Sequence, residues 1–198
     1  ALAQFERMGA VLQEAEGLAE ALGDPLRLAR FYANRTAYWR TVGQHRRSVE
    51  SGARALAFAA PLDEGALKTD VSCFMGMANY ELGDYRAAIE CLRRSAAHFS
   101  EVHNTSFASF ATASVTSCGW LAVSHAELGE VGEGIAWLEE AQRMAGTDTP
   151  LWTVIGLWIH EGWLYGRRGD LTRGIAAAEH ALGLSNDRGI VPLFVVSA

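Results

Sequence analysis

A short turn built around glycine recurs along the chain and constrains its fold more than any other feature. The glycines lie at steps of 40, 46 and 40 residues, at Gly43, Gly83, Gly129 and Gly169. Glycine adopts the left-handed backbone conformation that ends many α-helices, so each turn predicts a break between two helices. Self-similarity with a period of roughly 20–50 residues is typical of stacked repeat proteins. The sequence therefore predicts a solenoid of helical hairpins.

The second of these units is the most complete. Residues 72–99 predict one helix–turn–helix hairpin, in which Gly83 ends the first helix and Asp84 caps the second. Small residues, Gly76 and Ala88, fall where the two helices would cross. Small side chains at a crossing let helix axes approach to roughly 8–10 Å. We therefore expect a leucine at either position to overpack the crossing.

The order of small, aromatic and large residues around each glycine resembles the tetratricopeptide repeat, over roughly residues 25–185. The matching positions are Gly76, Gly83, Tyr85, Ala88, Leu92 and Ser95 in the second unit, Ala122, Gly129, Val131, Gly134, Leu138 and Ala141 in the third, Gly162, Gly169, Leu171, Gly174, Ala178 and Ala181 in the fourth, and the degenerate set Thr36, Gly43, His45, Ser48, Gly52 and Ala55 in the first. The period exceeds the family's usual spacing of about 34 residues, which indicates longer helices or links.

The amino-acid sequences around the third and fourth turns resemble the repeats of one particular group of proteins. It is similar to the C-terminal repeat regions of large bacterial signalling proteins of the adenylate cyclase or LuxR type. Those proteins carry a cyclase or DNA-binding domain and an AAA-type ATPase domain upstream. The chain starts at Ala1 inside a helical pattern and stops in an apolar run. We therefore expect it to be a piece of a longer chain, with such a domain outside it.

The predicted fold class is all-α: one domain forming a right-handed α-solenoid of antiparallel helix pairs. Four hairpins are expected at about 26–60, 64–99, 105–145 and 150–185. Residues 2–21 read as the second helix of a partial unit, 100–106 as a polar link, and the run from Ile190 as the start of a further first helix. On the fourth unit, Trp152 and Trp158 are expected in the core, and Thr149 is a candidate helix cap.

Composition narrows the class of partner and the compartment. The net charge is −6, from 17 basic and 23 acidic residues, which argues against nucleic acid because phosphate binding relies on a basic surface. No run of 18 apolar residues predicts a membrane span. Three cysteines at unrelated spacings favour free thiols in a reducing compartment, so we expect a cytoplasmic protein.

Motifs that carry chemistry are missing from the sequence. The six histidines show no His-Glu-x-x-His spacing, the cysteines no Cys-x-x-Cys pair, and the glycines no phosphate-binding loop. Ser72-Cys73 and Ser117-Cys118 lie on predicted helices, without the strand–turn–helix setting that exposes a nucleophile. We therefore predict no catalytic residue, no metal, no cofactor and no enzymatic activity.

The resemblance implies a concave groove lined by the first helix of each unit, which takes an extended peptide or a helix from a protein partner. Transferring the groove positions gives nine candidate binding residues: Arg30, Arg40, Asp70, Met77, Tyr80, Glu81, Glu127, Trp163 and Arg167. The remaining positions are small or mostly apolar: Ala33, Ala37, Cys73, Thr116, Gly119, Val123, Gly156 and Ile159. Tyrosine, tryptophan and arginine are the residue types that dominate binding energy at interfaces.

Two alternatives stay open at this level. Tyr80 and Trp163 fit either the groove surface or packing within and between repeats. The function that the resemblance implies is a non-catalytic regulatory module that binds a protein or peptide, or a second copy of itself. The alternative is a small-molecule sensor in which the solenoid closes on a ligand beside Trp163 and Tyr80.

Overall fold

The computed structural model describes residues 2–97 and 108–187, and these two ranges contain nine α-helices and no strand. The helices are α1 (Leu2–Leu22), α2 (Pro25–Thr41), α3 (His45–Ala59), α4 (Gly65–Glu81), α5 (Tyr85–Ala97), α6 (Ala108–Glu127), α7 (Val131–Met144), α8 (Leu151–Arg168) and α9 (Leu171–Asp187). The predicted link at 100–106 and the run from Ile190 lie outside the described residues. The prediction of an all-α solenoid of helical hairpins is confirmed.

Each hairpin turns at one of the recurring glycines. Gly43, Gly83, Gly129 and Gly169 have φ angles of 76°, 78°, 77° and 85°, in the left-handed region that favours glycine. In the second and fourth hairpins the aspartate after the glycine caps the next helix: Asp84 accepts a bond from the Ala87 N–H at 3.1 Å, and Asp170 accepts one from the Arg173 N–H at 3.2 Å. Gln44 and Glu130, at the same place in the first and third hairpins, make no side-chain cap bond, so the glycine is the feature that all four reversals share.

Small residues hold the two helices of a hairpin close together. A Cβ atom on Gly76 would overlap Leu92 and stand 3.3 Å from the Ala88 carbonyl oxygen. In the third hairpin, a Cβ on Gly134 would stand 2.7 Å from the Ala122 carbonyl oxygen. The predicted crossing of Gly76 with Ala88 is therefore present, and the same device recurs further along the chain.

The hairpins stack because each new first helix packs on both helices of the unit before it. α4 packs on α2 and α3, α6 on α4 and α5, and α8 on α6 and α7. Glycines again receive the incoming side chains, with Met75 of α4 lying on Gly52 and Leu164 of α8 on Gly134. A single hairpin cannot bury its apolar face, so this stacking supplies the core.

Two expectations for the fourth unit are wrong. Trp152 is 50% exposed, and Trp158 is half-buried against His180, with ring centroids 4.3 Å apart. Trp152 shares a helical face with Ile159 and Trp163, and the last two line the groove between α8 and α9. Thr149 does not cap α8; its hydroxyl accepts a bond from the Gly146 N–H at 2.9 Å and closes the preceding turn.

The three cysteines, Cys73, Cys91 and Cys118, are buried free thiols, as predicted. Burial raises the pKa of the Cys73 thiol to about 11 and that of Cys118 to about 12, so both stay protonated at neutral pH.

No helix within the described ranges combines the length and apolar character needed to span a bilayer.

Candidate partner-binding groove

The first helices α4, α6 and α8 lie side by side and bring three predicted groove residues together at their C-terminal ends. The Tyr80 hydroxyl donates to Glu127 at 3.0 Å, and Arg167 donates to the same carboxylate oxygen from Nε at 3.0 Å and Nη2 at 2.7 Å. Burial and the Glu127 charge raise the pKa of Tyr80, and its bonds to Glu127 raise the pKa of Arg167. One acidic residue therefore links three successive units.

An aromatic cluster lies beside this network. Trp120, only 1% exposed, packs edge-on against Tyr80, His160 and Trp163, with ring centroids 5.0, 4.9 and 6.1 Å away. Trp163 is 39% exposed and so presents part of its ring to solvent. Both alternatives for Tyr80 and Trp163 thus hold in part: each packs between repeats, and Trp163 also reaches the surface.

Sequence reasoning missed Trp120 and His160 as parts of this site. They are 40 residues apart, the same step that separates two pairs of turns, so the period was the signal that could have found them. His160 is 4% exposed, and its Nδ1 lies against the backbone of Gly119, where a side chain would overlap it. Burial lowers the pKa of His160 to about 3, which keeps the ring neutral.

Arg40 extends from α2 towards the aromatic cluster around Trp120 of α6. Its guanidinium carbon lies 6.0 Å from the centroid of the Trp120 ring. Its Nε is buried without a hydrogen-bond partner, and among the described residues no carboxylate forms an ion pair with it. Burial lowers the pKa of this guanidinium, while the nearby Cys73 and Glu81 oppose the shift. Glu81 itself is exposed.

The floor of the groove is closed at its predicted apolar positions. Met77 and Cys73 are 6% and 4% exposed, with their sulfur atoms 4.0 Å apart. Asp70 lies one turn before Cys73 on α4 and is half-buried. Burial raises the pKa of this carboxyl to about 6. The predicted groove positions thus place polar and aromatic groups beside a packed layer that contains the sulfur atoms of Cys73 and Met77.

Arg30 stands apart from this cluster. It is exposed near the start of α2 and approaches the Glu64 carboxylate at 3.5 Å, where α4 begins. The structure therefore joins Tyr80, Glu127 and Arg167 directly and places Trp163 and Arg40 around Trp120. Arg30 lies at the far edge of this set of groove residues.

Across residues 2–97 and 108–187, no group of three His, Cys, Asp or Glu side chains could hold a metal ion.

The described helices form an α-solenoid of stacked hairpins, and its first helices carry the polar and aromatic groups described above. In comparison with known protein families, the tetratricopeptide repeat model matches residues 69–96, which contain most of α4 and α5. The chain is a tetratricopeptide-like solenoid. The match coincides with the unit whose sequence is most complete.

Solved structures show the same fold over nearly the whole chain. BtubC (BKLC) from P. vanneervenii superimposes with a TM-score of 0.71 at 16% identity, over 94% of this chain and 75% of that one. A kinesin-light-chain-like protein of Podosopora anserina, with nearly identical TPR-like repeats, gives 0.63 at 17% identity, over 94% and 93%. No curated protein sequence matches the chain. At these identities the likeness concerns the fold alone.

Proposed function

We propose that the chain is a non-catalytic regulatory module that binds a protein or peptide partner on its concave face. The fold supports the general role, because tetratricopeptide repeats mediate protein–protein interaction. The observation that carries the specific proposal is Arg40, a half-buried charge with no ion-pair partner among the described residues. We infer that a carboxylate of the partner forms an ion pair with Arg40.

The three arginines of the groove differ in how they are paired. Arg167 is held by Glu127 at 2.7 Å, and Arg30 meets Glu64 at 3.5 Å. Arg40 lies near the Trp120 ring, Cys73 and Glu81, and it forms no ion pair among the described residues. A partly desolvated guanidinium is stabilised by a carboxylate, which it can engage through two parallel hydrogen bonds. Arg40 is therefore the groove residue whose charge a partner can satisfy without breaking an existing bond.

Trp163 provides the apolar part of the same surface. Its ring lies 6.1 Å from Trp120 and is 39% exposed, so a partner side chain can cover it and gain the free energy of burial. Aromatic and arginine side chains near the centre of an interface dominate its binding energy. A partner segment with an acidic residue beside a large apolar residue therefore fits this face best.

The setting of the module follows from the resemblance of its repeats. We place it in a larger bacterial signalling protein of the cyclase or transcription-regulator type, in the cytoplasm, with the solenoid as its regulatory end. Self-association through the same face is the related possibility for a partner. The alternative function is a small-molecule sensor that uses the same residues. The titration described below distinguishes it from peptide binding.

Selection from a displayed random-peptide library tests the proposal. Peptides that bind the intact chain should be enriched in Asp or Glu beside an apolar residue. Arg40→Gln should weaken their binding about thirtyfold or more, since truncating one partner of a desolvated charge pair costs about 2 kcal/mol or more. Arg86→Gln, an exposed change on α5 away from the groove, is the matched control and should bind as the unmodified chain does.

Equal binding of the selected peptides to the Arg40→Gln variant would contradict the assignment of Arg40. A titration with free dicarboxylic acids separates the two functions. Quenching of tryptophan fluorescence by such metabolites, with no response to any selected peptide, would favour the small-molecule sensor.

A further inference from the structure

Two groove side chains of opposite charge, Arg40 and Asp70, lie near Cys73. The Arg40 guanidinium approaches the Trp120 ring, and Cys73 packs in the same buried cluster as Trp120. Asp70 lies one turn before Cys73 on α4, about 4.5 Å away along the helix axis. Burial raises the pKa of the Cys73 thiol to about 11, while the nearby Arg40 lowers it and the nearby Asp70 raises it. Both charges therefore belong to one part of the groove.

Arg40 differs from the other arginines of its helix. Of the four arginines on α2, three form ion pairs with carboxylates. The pairs are Arg27 with Asp24, Arg30 with Glu64, and Arg35 with Glu16. Arg40 forms no such pair within residues 2–97 and 108–187, and its Nε is buried without a hydrogen-bond partner.

Asp70 is the matching case among the acidic residues. Its carboxylate forms no hydrogen bond or ion pair with any part of the chain that the structure describes. Lys68, the cation nearest to it in sequence, donates instead to the Leu62 carbonyl oxygen at 2.8 Å. Burial alone raises the pKa of Asp70 to about 6, whereas a neighbouring cation would lower it. Arg40 therefore does not serve as its partner.

Both side chains are half-buried, so each has lost part of its hydration and remains accessible from the groove. A partly desolvated charge is stabilised by an opposite charge that comes within hydrogen-bond distance. One ligand can satisfy both groups only if it carries an anion for Arg40 and a cation for Asp70.

We propose that Arg40 and Asp70 form a dipolar subsite for a partner segment that carries both an acidic and a basic side chain. An extended segment advances about 3.3 Å per residue, so two such side chains within about three residues of each other can reach both groups. This inference rests on the proposed function. It adds a basic residue to the acidic and apolar residues that the partner segment must carry.

The peptides selected by the unmodified chain test the subsite. They should be enriched in Lys or Arg within three residues of the Asp or Glu. Asp70→Asn should weaken their binding about fivefold, since a half-exposed ion pair contributes about 1 kcal/mol. Asp70→Glu keeps the charge and should bind them nearly as well as the unmodified chain. Glu90→Gln, which removes an exposed negative charge on α5, is the matched control and should leave binding unchanged.

A double-mutant cycle assigns the contact. Replacing the basic residue of a selected peptide by Gln should cost the same factor as Asp70→Asn, and the two changes together should cost no more than either alone. Circular dichroism confirms that each variant keeps its helices.

Three results would overturn the subsite: selected peptides without an enriched basic residue, losses in the cycle that simply add, and equal weakening by Glu90→Gln, which would assign the effect to net charge. Weaker binding to Arg40→Gln with unchanged binding to Asp70→Asn would overturn this inference alone. Unchanged binding to both variants would contradict the proposed function as well.

Discussion

The second and fourth hairpins share a turn and a crossing of small residues, yet their surroundings differ. The second helix of the second hairpin, α5, packs on both α4 and α6, and its buried residues include Ile89 and Leu92. The second helix of the fourth hairpin, α9, ends the described stack, and the residues buried on it, Gly174, Ala177, Ala181 and Ser185, are all small. The same local rules therefore produce a better covered second helix in one hairpin and a more exposed one in the other, because a repeat acquires its core from its neighbours.

The crossings of the two hairpins also use their small residues differently. In the second, Gly76 makes room for the side chain of Leu92, which is fully buried. In the fourth, Gly162 faces Gly174, and a Cβ on Gly162 would stand 3.2 Å from the Gly174 carbonyl oxygen. The second hairpin is thus held by a large apolar side chain, and the fourth by the close approach of two backbones.

The largest expected difference between the two hairpins is the loss of stability when a leucine on the second helix, α5 or α9, is truncated. Leu92→Ala should lower the free energy of unfolding by about 2–5 kcal/mol, because it leaves a cavity in a packed core. Leu171→Ala removes the same atoms from a side chain that is 64% exposed. This substitution should change the free energy of unfolding by no more than about 0.5 kcal/mol. Urea denaturation of both variants measures the contrast, and similar losses would show that the fourth hairpin is covered as completely as the second.

Lowering the pH should destabilise the fold through His160, which lies on α8 in the fourth hairpin. The pKa of this buried ring is about 3, below its ordinary value of about 6.5, so the unfolded chain binds more protons between these two pH values. Stability should fall by about 2–3 kcal/mol from pH 6.5 to pH 4. His160→Phe should flatten this dependence in denaturation curves recorded across the range, whereas the exposed His180→Gln should not.

A leucine at position 76 tests the crossing of the second hairpin. Gly76→Leu should destabilise the chain by about 1–3 kcal/mol, since even a Cβ there would overlap Leu92. Gly132→Leu is the matched control, because nothing lies within 4 Å of a Cβ on Gly132 of α7. A melting curve for Gly76→Leu that coincides with the control would refute the packing assignment.

The smallest effect concerns Asp70, whose counterpart in the fourth hairpin is Gly156. The pKa of this carboxyl is about 6, above its ordinary value of about 3.9, so the folded chain binds more protons in that window. Its contribution to stability should therefore fall as the pH rises from about 4 to about 6 and level off above that range. Solvent screening limits the change to about 1 kcal/mol. Asp70→Asn should remove this slope, and an unchanged slope would exclude Asp70 as its source.

Local chemistry is what sequence reasoning could predict. The left-handed glycines, the cap at Asp84 and the crossing of Gly76 with Ala88 each depend on residues within one hairpin, and all are present. The network of Tyr80, Glu127 and Arg167 joins three residues predicted separately. The repeat aligned them at the C-terminal ends of three successive first helices, although their hydrogen bonds depend on side-chain conformations that no periodicity specifies.

The errors arose where the pattern is ambiguous. The first ten residues of α8 are apolar on nearly every face, so a 3.6-residue period cannot single out the buried side. Trp152 was therefore placed in the core, whereas Thr153 takes the buried position beside it. The proximity of Arg40 on α2 to Trp120 on α6 depends on how three successive units stack, which no single repeat encodes.

The shared carboxylate of Glu127 has a mechanical consequence. Tyr80 and Arg167 both bind it, so pulling the solenoid out along its long axis must lengthen two hydrogen bonds at one atom. At the opposite ends of the first helices, Arg30 meets Glu64 at 3.5 Å, a weaker contact. Glu127 therefore ties the C-terminal ends of α4, α6 and α8 to one another through a single side chain, so that a change at this residue acts on three repeats at once.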